Sequence, residues 1–113
     1  MIVDTNRSRT GEVAGLLRRS GFHPVVCNAP LRAMGVIRRE RPDAVVLEVI
    51  MPGRSGFEIA ARMQADPRLS RIPLLFTSDI PNSGGGNHDY FPRPLNAQRL
   101  VETLKERILV EQP

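Results

Sequence analysis

Tryptophan is missing from this chain, and tyrosine, cysteine and lysine occur once each, as Tyr90, Cys27 and Lys105. A lone cysteine cannot close a disulfide within the chain. Lying in a predicted strand interior, Cys27 reads as a small buried hydrophobe. No apolar run approaches the roughly 20 residues needed to cross a bilayer. The opening MIVDTN lacks the basic and apolar segments of a secretory leader. These absences exclude a disulfide-stapled scaffold and argue against a membrane partner, and they lead us to expect a cytoplasmic protein.

Aromatic residues are scarce too, at 4%. That bears on the net charge of +4, which comes from sixteen basic residues, all arginine except Lys105. The excess gathers before residue 42, where Asp4, Glu12 and Glu40 are the only acids. An arginine face attracts nucleic acid or acidic partners through its charge alone. Here few aromatics interleave with the arginines and no recognition motif accompanies them. Nucleic-acid binding is therefore carried as a distant alternative, with strong salt dependence as its signature.

What is present is an alternation. A hydrophobic content of 41% over 113 residues suits one domain spanning 1–113. MIVD (1–4), HPVVCN (23–28), DAVVLEVI (43–50), IPLLFTS (72–78) and DYFP (89–92) read as strands, and the β-branched run at 43–50 suits a central parallel strand covered on both faces. Between them, 8–21 places Val13, Leu16 and Leu17 on one helical face, with Gly21 ending it. The stretch 29–42 does the same with Leu31, Met34, Val36 and Ile37, after a candidate cap at Asn28 and with Pro30 in the first turn. Ser55 and Glu58 form a capping box for a helix over 55–66, with Phe57, Ile59, Ala60 and Met63 inward. Asn96 caps a last helix over 96–110, with Leu100, Val101, Leu104 and Ile108 inward. This order predicts a doubly wound parallel α/β sheet.

One step of the alternation fails. Only SDIPNSGGGNHD separates Thr77 from Tyr90, and Pro81 with Gly84–Gly86 opposes a helix. An ordinary helix alone takes about 11 or 12 residues. The expectation is an irregular, mobile Gly-rich loop where a fourth helix would stand. It would strip cover from Leu74, Phe76 and Phe91, leaving a patch for a protein partner or a homodimer through region 74–95. His23 and His88 read as surface residues.

In such a sheet, functional groups gather at the carboxyl ends of the strands. Those ends carry Asp4 and Thr5, Glu48, Thr77 with Ser78, and Arg93. The residues by themselves allow plainer roles. Asp4 suits hydrogen bonding in the turn or a helix cap, Thr77 and Ser78 suit satisfying backbone at a strand end, and Tyr90 suits packing. Glu48 suits a partly solvated carboxylate whose exposed ion pair contributes only about 0–1 kcal/mol.

Together these segments resemble the receiver domain of two-component response regulators, the CheY-like doubly wound fold with sheet order 2-1-3-4-5. IVDTN resembles the acidic turn after the first strand, LEVIMPGRSGFE the phosphorylation-site strand and loop, IPLLFTS the strand with the switch hydroxyl, and DYFPRPL the switch aromatic followed by Lys-Pro. The resemblance implies a phosphoacceptor position at Glu48 and acidic-pocket positions at Asp4 and Thr5. It further implies a metal-ligating carbonyl at Ile50, switch positions at Thr77 and Tyr90, and the conserved-lysine position at Arg93, followed by Pro94 after a cis peptide. In that family an aspartate accepts a phosphoryl group from a histidine kinase, with Mg²⁺ held by neighbouring acids.

Three positions depart from the pattern. Glu48 is a methylene longer than aspartate, and a misplacement of about 1 Å costs on the order of 10²-fold in a positioned reaction. Thr5 puts a poor Mg²⁺ ligand where an acid is implied. Arg93 replaces a flexible ammonium with a planar fork suited to carboxylate. The expectation is an atypical receiver, a pseudo-receiver that is not phosphorylated in the usual way, binds Mg²⁺ weakly or not at all, and acts through protein contacts. The alternative is a working response regulator phosphorylated by a histidine kinase. With no activated nucleophile and no histidine near a carboxylate, no enzyme activity is expected.

Overall fold

The computed structural model describes residues 1–81 and 89–111, with side chains described as far as Leu109. Its elements in chain order are β1 (Ile2–Val3), α1 (Arg7–Arg19), β2 (Val26–Cys27), a 3₁₀ turn (Pro30–Arg32), α2 (Ala33–Glu40), β3 (Val45–Glu48), α3 (Gly56–Ala65), β4 (Leu74–Ser78), β5 (Asp89–Pro92) and α4 (Ala97–Glu111). The five strands form one sheet in the order β2-β1-β3-β4-β5, every pair parallel. That is the doubly wound order implied by the resemblance to CheY-like receiver domains.

Side chains alternate across the sheet and define two cores. Val3, Val45, Leu47, Leu74 and Phe76 pack on one face with Met34 and Ile37 of α2 and Ile59 and Met63 of α3. Ile2, Val46, Leu75 and Phe91 pack on the other with Ala14 and Leu17 of α1 and Leu100 and Leu104 of α4. β3 is buried along its whole length, as a strand sandwiched between helix layers must be.

Local chemistry sets the helix boundaries. Asn6 caps α1, its side chain accepting from Arg9 N at 3.0 Å. Ser55 caps α3 by accepting from Glu58 N at 3.2 Å, and Asn96 accepts from Arg99 N at 3.0 Å at the start of α4. Asn28 is not the cap expected of it. The next helix opens as a 3₁₀ turn with Ala29 at its head and no side-chain cap, while Asn28 Nδ2 donates to Asp4 O at 2.7 Å and Thr10 Oγ1 at 3.1 Å. Because that turn is 3₁₀, Leu31 falls off the predicted stripe and is exposed. Phe57 also lies largely at the surface, although its ring meets Phe76 edge-on with centroids 4.9 Å apart.

The patch predicted from Leu74, Phe76 and Phe91 does not exist as a surface. All three are buried, and the register pairs Phe76 with Tyr90 and Thr77 with Phe91. Leu74 and Phe76 therefore face the α2/α3 core, and Phe91 faces α4, where the Arg99 guanidinium covers its ring at 4.8 Å. Four α-helices occur among the described residues. After β4, Asp79–Pro81 form a bend and not a helix. The rest of the predicted loop, with Gly84–Gly86 and His88, lies outside the described residues. His23 is at the surface and Cys27 is buried, its Sγ 3.2 Å from Ala29 O.

Candidate functional site

β1 lies between β2 and β3, so chain connections leave the sheet in opposite directions from the carboxyl ends of β1 and β3. Asp4 directly follows β1 and Glu48 is the last residue of β3. β4 brings Thr77 beside Glu48 in register, and β5 runs out into Arg93, whose N–H donates to Ser78 O at 2.9 Å. A tight β3–α3 turn closes the rim. Gly53 sits there at φ 87°, a conformation that suits a residue without Cβ, and Gly56 N–H donates to Val49 O at 2.9 Å.

Glu48 is 2% exposed, which rules out the partly solvated carboxylate allowed by the sequence. Its Oε1 accepts from Thr77 Oγ1 at 3.0 Å and from Arg93 Nη2 in a direct ion pair. Arg93 reaches further: Nη2 lies 3.6 Å from Asp4 Oδ2, and Nη1 lies 3.3 Å from Asp79 Oδ1. A single guanidinium thus binds the ends of β1, β3 and β4 together. Such a pair costs desolvation and holds only where partners saturate it, so removing one partner is far more damaging than the surface figure implies.

Asp4 is buried and belongs to a second ion pair that the sequence did not reveal. Arg9, in the first turn of α1, donates through Nε to Asp4 Oδ2 at 2.9 Å and through Nη2 to Asp4 Oδ1 at 3.0 Å. Oδ1 also accepts from Asn6 N at 3.0 Å. The expected turn hydrogen bond is therefore present, but the helix cap is Asn6. The Arg9 guanidinium is held more firmly protonated than usual by its hydrogen bonds to Asp4, against some desolvation, with Asp4, Glu48 and Asp79 adding attraction. Arg9 lies three positions past the Asn6 cap and points back over the preceding turn onto Asp4.

Thr5 follows Asp4, half-buried, and Ile50 is exposed on the β3–α3 turn. Tyr90 is buried and its hydroxyl donates to Ile80 O at 2.7 Å, so it braces the segment after β4 as well as packing. Ser78 Oγ accepts from Ile80 N at 3.0 Å, the strand-end backbone role anticipated for it. The Arg93–Pro94 peptide is cis. The rim positions singled out in the sequence, Asp4, Thr5, Glu48, Thr77, Ser78 and Arg93, thus lie at this end of the sheet.

As a divalent-cation site the rim is poorly equipped. Both Asp4 oxygens are engaged by a guanidinium, Glu48 Oε1 is engaged by another, and no group of three or more His, Cys, Asp or Glu side chains converges among the described residues. Beside the rim, a cavity of about 440 Å³ runs between α1 and the start of α4, with Asp4, Arg9, Thr77 and Arg93 at its polar end. Several other arginines are also held in ion pairs, Arg38 and Arg68 with Asp66 and Arg107 with Asp89. None of the described helices is long and apolar enough to cross a membrane.

Residues 1–105 match the family described as the response regulator receiver domain. The polar-differentiation response regulator DivK of Brucella anthropi is 27% identical over 112 residues, an alignment covering 93% of this chain and 91% of that protein. Among solved structures, a response regulator from Desulfuromonas acetoxidans superposes with a TM-score of 0.84 at 23% identity, covering 97% of this chain and 95% of its own. The chemotaxis protein CheY4 of Vibrio cholerae does so with a TM-score of 0.83 at 20% identity, covering 93% of each chain. At those identities the two structures speak for the fold alone.

Proposed function

The chain belongs to the response regulator receiver domain family, and from that premise we propose that it is a pseudo-receiver: a signalling module whose phosphorylation rim is held in one state by its own glutamate. The observation that carries this is the convergence of Thr77 Oγ1 and Arg93 Nη2 on a single oxygen of Glu48. In the receiver pattern these are the switch-hydroxyl and conserved-lysine positions, the two groups placed to sense a phosphoryl group. Here a carboxylate one methylene longer than aspartate supplies the negative charge that draws both inward. Tyr90, at the switch-aromatic position, is likewise buried and bonded to Ile80 O.

The same contacts disfavour the alternative of a phosphorylated regulator. To attack, Glu48 Oε1 would have to leave Arg93 and Thr77, and Mg²⁺ would have to displace Arg9 from Asp4 with only a threonine hydroxyl at position 5. The residues present do not fit that ion, which requires near-octahedral oxygen coordination. Mg²⁺ therefore has no part in this reading. The module acts through protein contacts, as receiver domains do, and catalyses nothing.

Incubation with a small-molecule phosphodonor and Mg²⁺, followed by intact mass measurement, tests this. The expected result is an unchanged mass. A stable adduct of about 80 Da that disappears in Glu48→Gln would make the protein a working response regulator.

A further inference from the structure

We propose that Arg9 is a built-in cation that closes the acidic end of the rim to divalent metal, its guanidinium standing on Asp4 where an incoming ion would have to bind. The inference rests on the pseudo-receiver reading and identifies the residue responsible for the loss of metal.

The contact is a two-point one. Nε and Nη2 of Arg9 take Oδ2 and Oδ1 of Asp4 at 2.9 and 3.0 Å, the bidentate match of planar fork to carboxylate that gives strength and fixed direction. The Asp4 side chain is 5% exposed and that of Arg9 is 29% exposed, so little water competes for the pair. With Asn6 N–H also on Oδ1 and Arg93 Nη2 at 3.6 Å from Oδ2, neither oxygen presents an open direction free of positive charge.

The charges of the buried rim balance without metal. Asp4 is matched by Arg9, and Glu48 by Arg93. A divalent ion added to that set would meet two guanidinium groups and no uncompensated carboxylate among these four residues. It must also strip tightly held water and find oxygen ligands.

Arg9 stands against the local preference of its helix, which points to a purpose beyond α1 itself. The first turn of α1 contains no acid, although Asp and Glu are favoured at a helix N-terminus and cations are disfavoured. Asp4 resolves the conflict by supplying the missing negative charge from outside the helix. Asn6 then fixes the geometry: its side chain accepts from Arg9 N while its own N–H donates to Asp4 Oδ1. Carboxylate, cap and guanidinium therefore form one closed turn from residue 4 to residue 9. Asp4 already lines the adjoining cavity of about 440 Å³, and removing the guanidinium would free both its oxygens there, where there is space for a hydrated ion.

The test is Mg²⁺ titration by calorimetry, paired with the shift of the thermal midpoint at constant ionic strength. It is run on the full chain and on Thr5→Asp, each with and without Arg9→Gln. Thr5→Asp supplies the oxygen ligand the rim lacks. Removing Arg9 from it is expected to tighten Mg²⁺ binding at least tenfold and to make the thermal midpoint rise with Mg²⁺. Arg9→Lys in the same background, which keeps the charge, is expected to stay within about threefold of the arginine form, since a single ammonium retains the like-charge repulsion. Arg9→Met keeps the aliphatic stem and serves as a second neutral variant should Arg9→Gln not fold. Equal Mg²⁺ affinity with and without Arg9 would overturn the proposal while leaving the pseudo-receiver reading in place. Submillimolar binding by the unaltered chain would overturn both.

Discussion

A Cβ added to Gly56 would lie 2.3 Å from the carbonyl oxygen of Glu48. The first residue of α3 is thus packed against the backbone of the very residue that carries the rim's charge, and the contact is with main chain that has no rotamer to yield. Gly56→Ala is expected to destabilise the fold by about 1–3 kcal/mol, the cost of overpacking, and to disturb the Glu48 contacts. Gly11→Ala is the control. Gly11 lies inside α1 with open space around the added methyl, and the substitution is expected to stabilise by about 0.4–1 kcal/mol. Denaturant unfolding of the two variants checks both signs.

Arg93 and Glu48 are unequal partners. Arg93→Ala leaves Glu48 and Asp4, whose side chains are 3% and 5% exposed, without their shared cation, and should cost about 3–5 kcal/mol. Glu48→Gln keeps an acceptor for Thr77 and Arg93, and Arg93 retains Asp4 and Asp79. It should cost about 1–2 kcal/mol. Chemical denaturation should rank Arg93→Ala well below Glu48→Gln, and a reversed order would contradict the bridging role given to Arg93.

The chain also contains a titrating group far from the rim. The Met1 α-amine donates to Ala44 O at 2.8 Å, and burial lowers its pKa from 8.0 to about 6, partly countered by Asp43. Between those values the unfolded chain binds the proton and the folded chain does not, so stability should rise as pH increases from about 6 to about 8. The difference between the two pKa values corresponds to roughly 2–3 kcal/mol over that window. Urea midpoints at the two ends of the window measure the slope. N-terminal acetylation, which leaves an N–H to donate but nothing to titrate, should flatten it.

Phe76 and Phe91 support opposite faces of the sheet. Phe76→Ala and Phe91→Ala should each cost about 3–5 kcal/mol by opening a cavity, and their effects should be close to additive because the sheet separates them. Thermal melts of the single and double variants test this. A full-stability Phe91 variant would restore the surface role that burial contradicts.

These outcomes track what the sequence could and could not specify. The β-branched run at 43–50 and the caps at Ser55 and Asn96 were legible because propensity and capping act over a few residues. The alternation of strands and helices made a parallel doubly wound sheet legible, and the strand order came only with the resemblance to receiver domains. The rim was legible for the same topological reason: carboxyl ends of parallel strands meet. The facing of Phe91 was not, since two-residue periodicity cannot say which face begins a four-residue strand. Asn28 was misread because a partner on another element, Asp4 O, outcompeted its local capping role. The Arg9–Asp4 fork depends on how α1 leaves the sheet, which no pattern in residues 4–9 states by itself.

The central claim, a rim set permanently by Glu48, is tested most directly by amide spectra of the labelled protein recorded before and after addition of Mg²⁺ and a small phosphodonor. The account predicts that the resonances of Thr77, Tyr90 and Arg93 stay where they are, while Glu48→Gln alone displaces them. A new set of peaks for those three residues on adding donor and metal to the unaltered protein would contradict it.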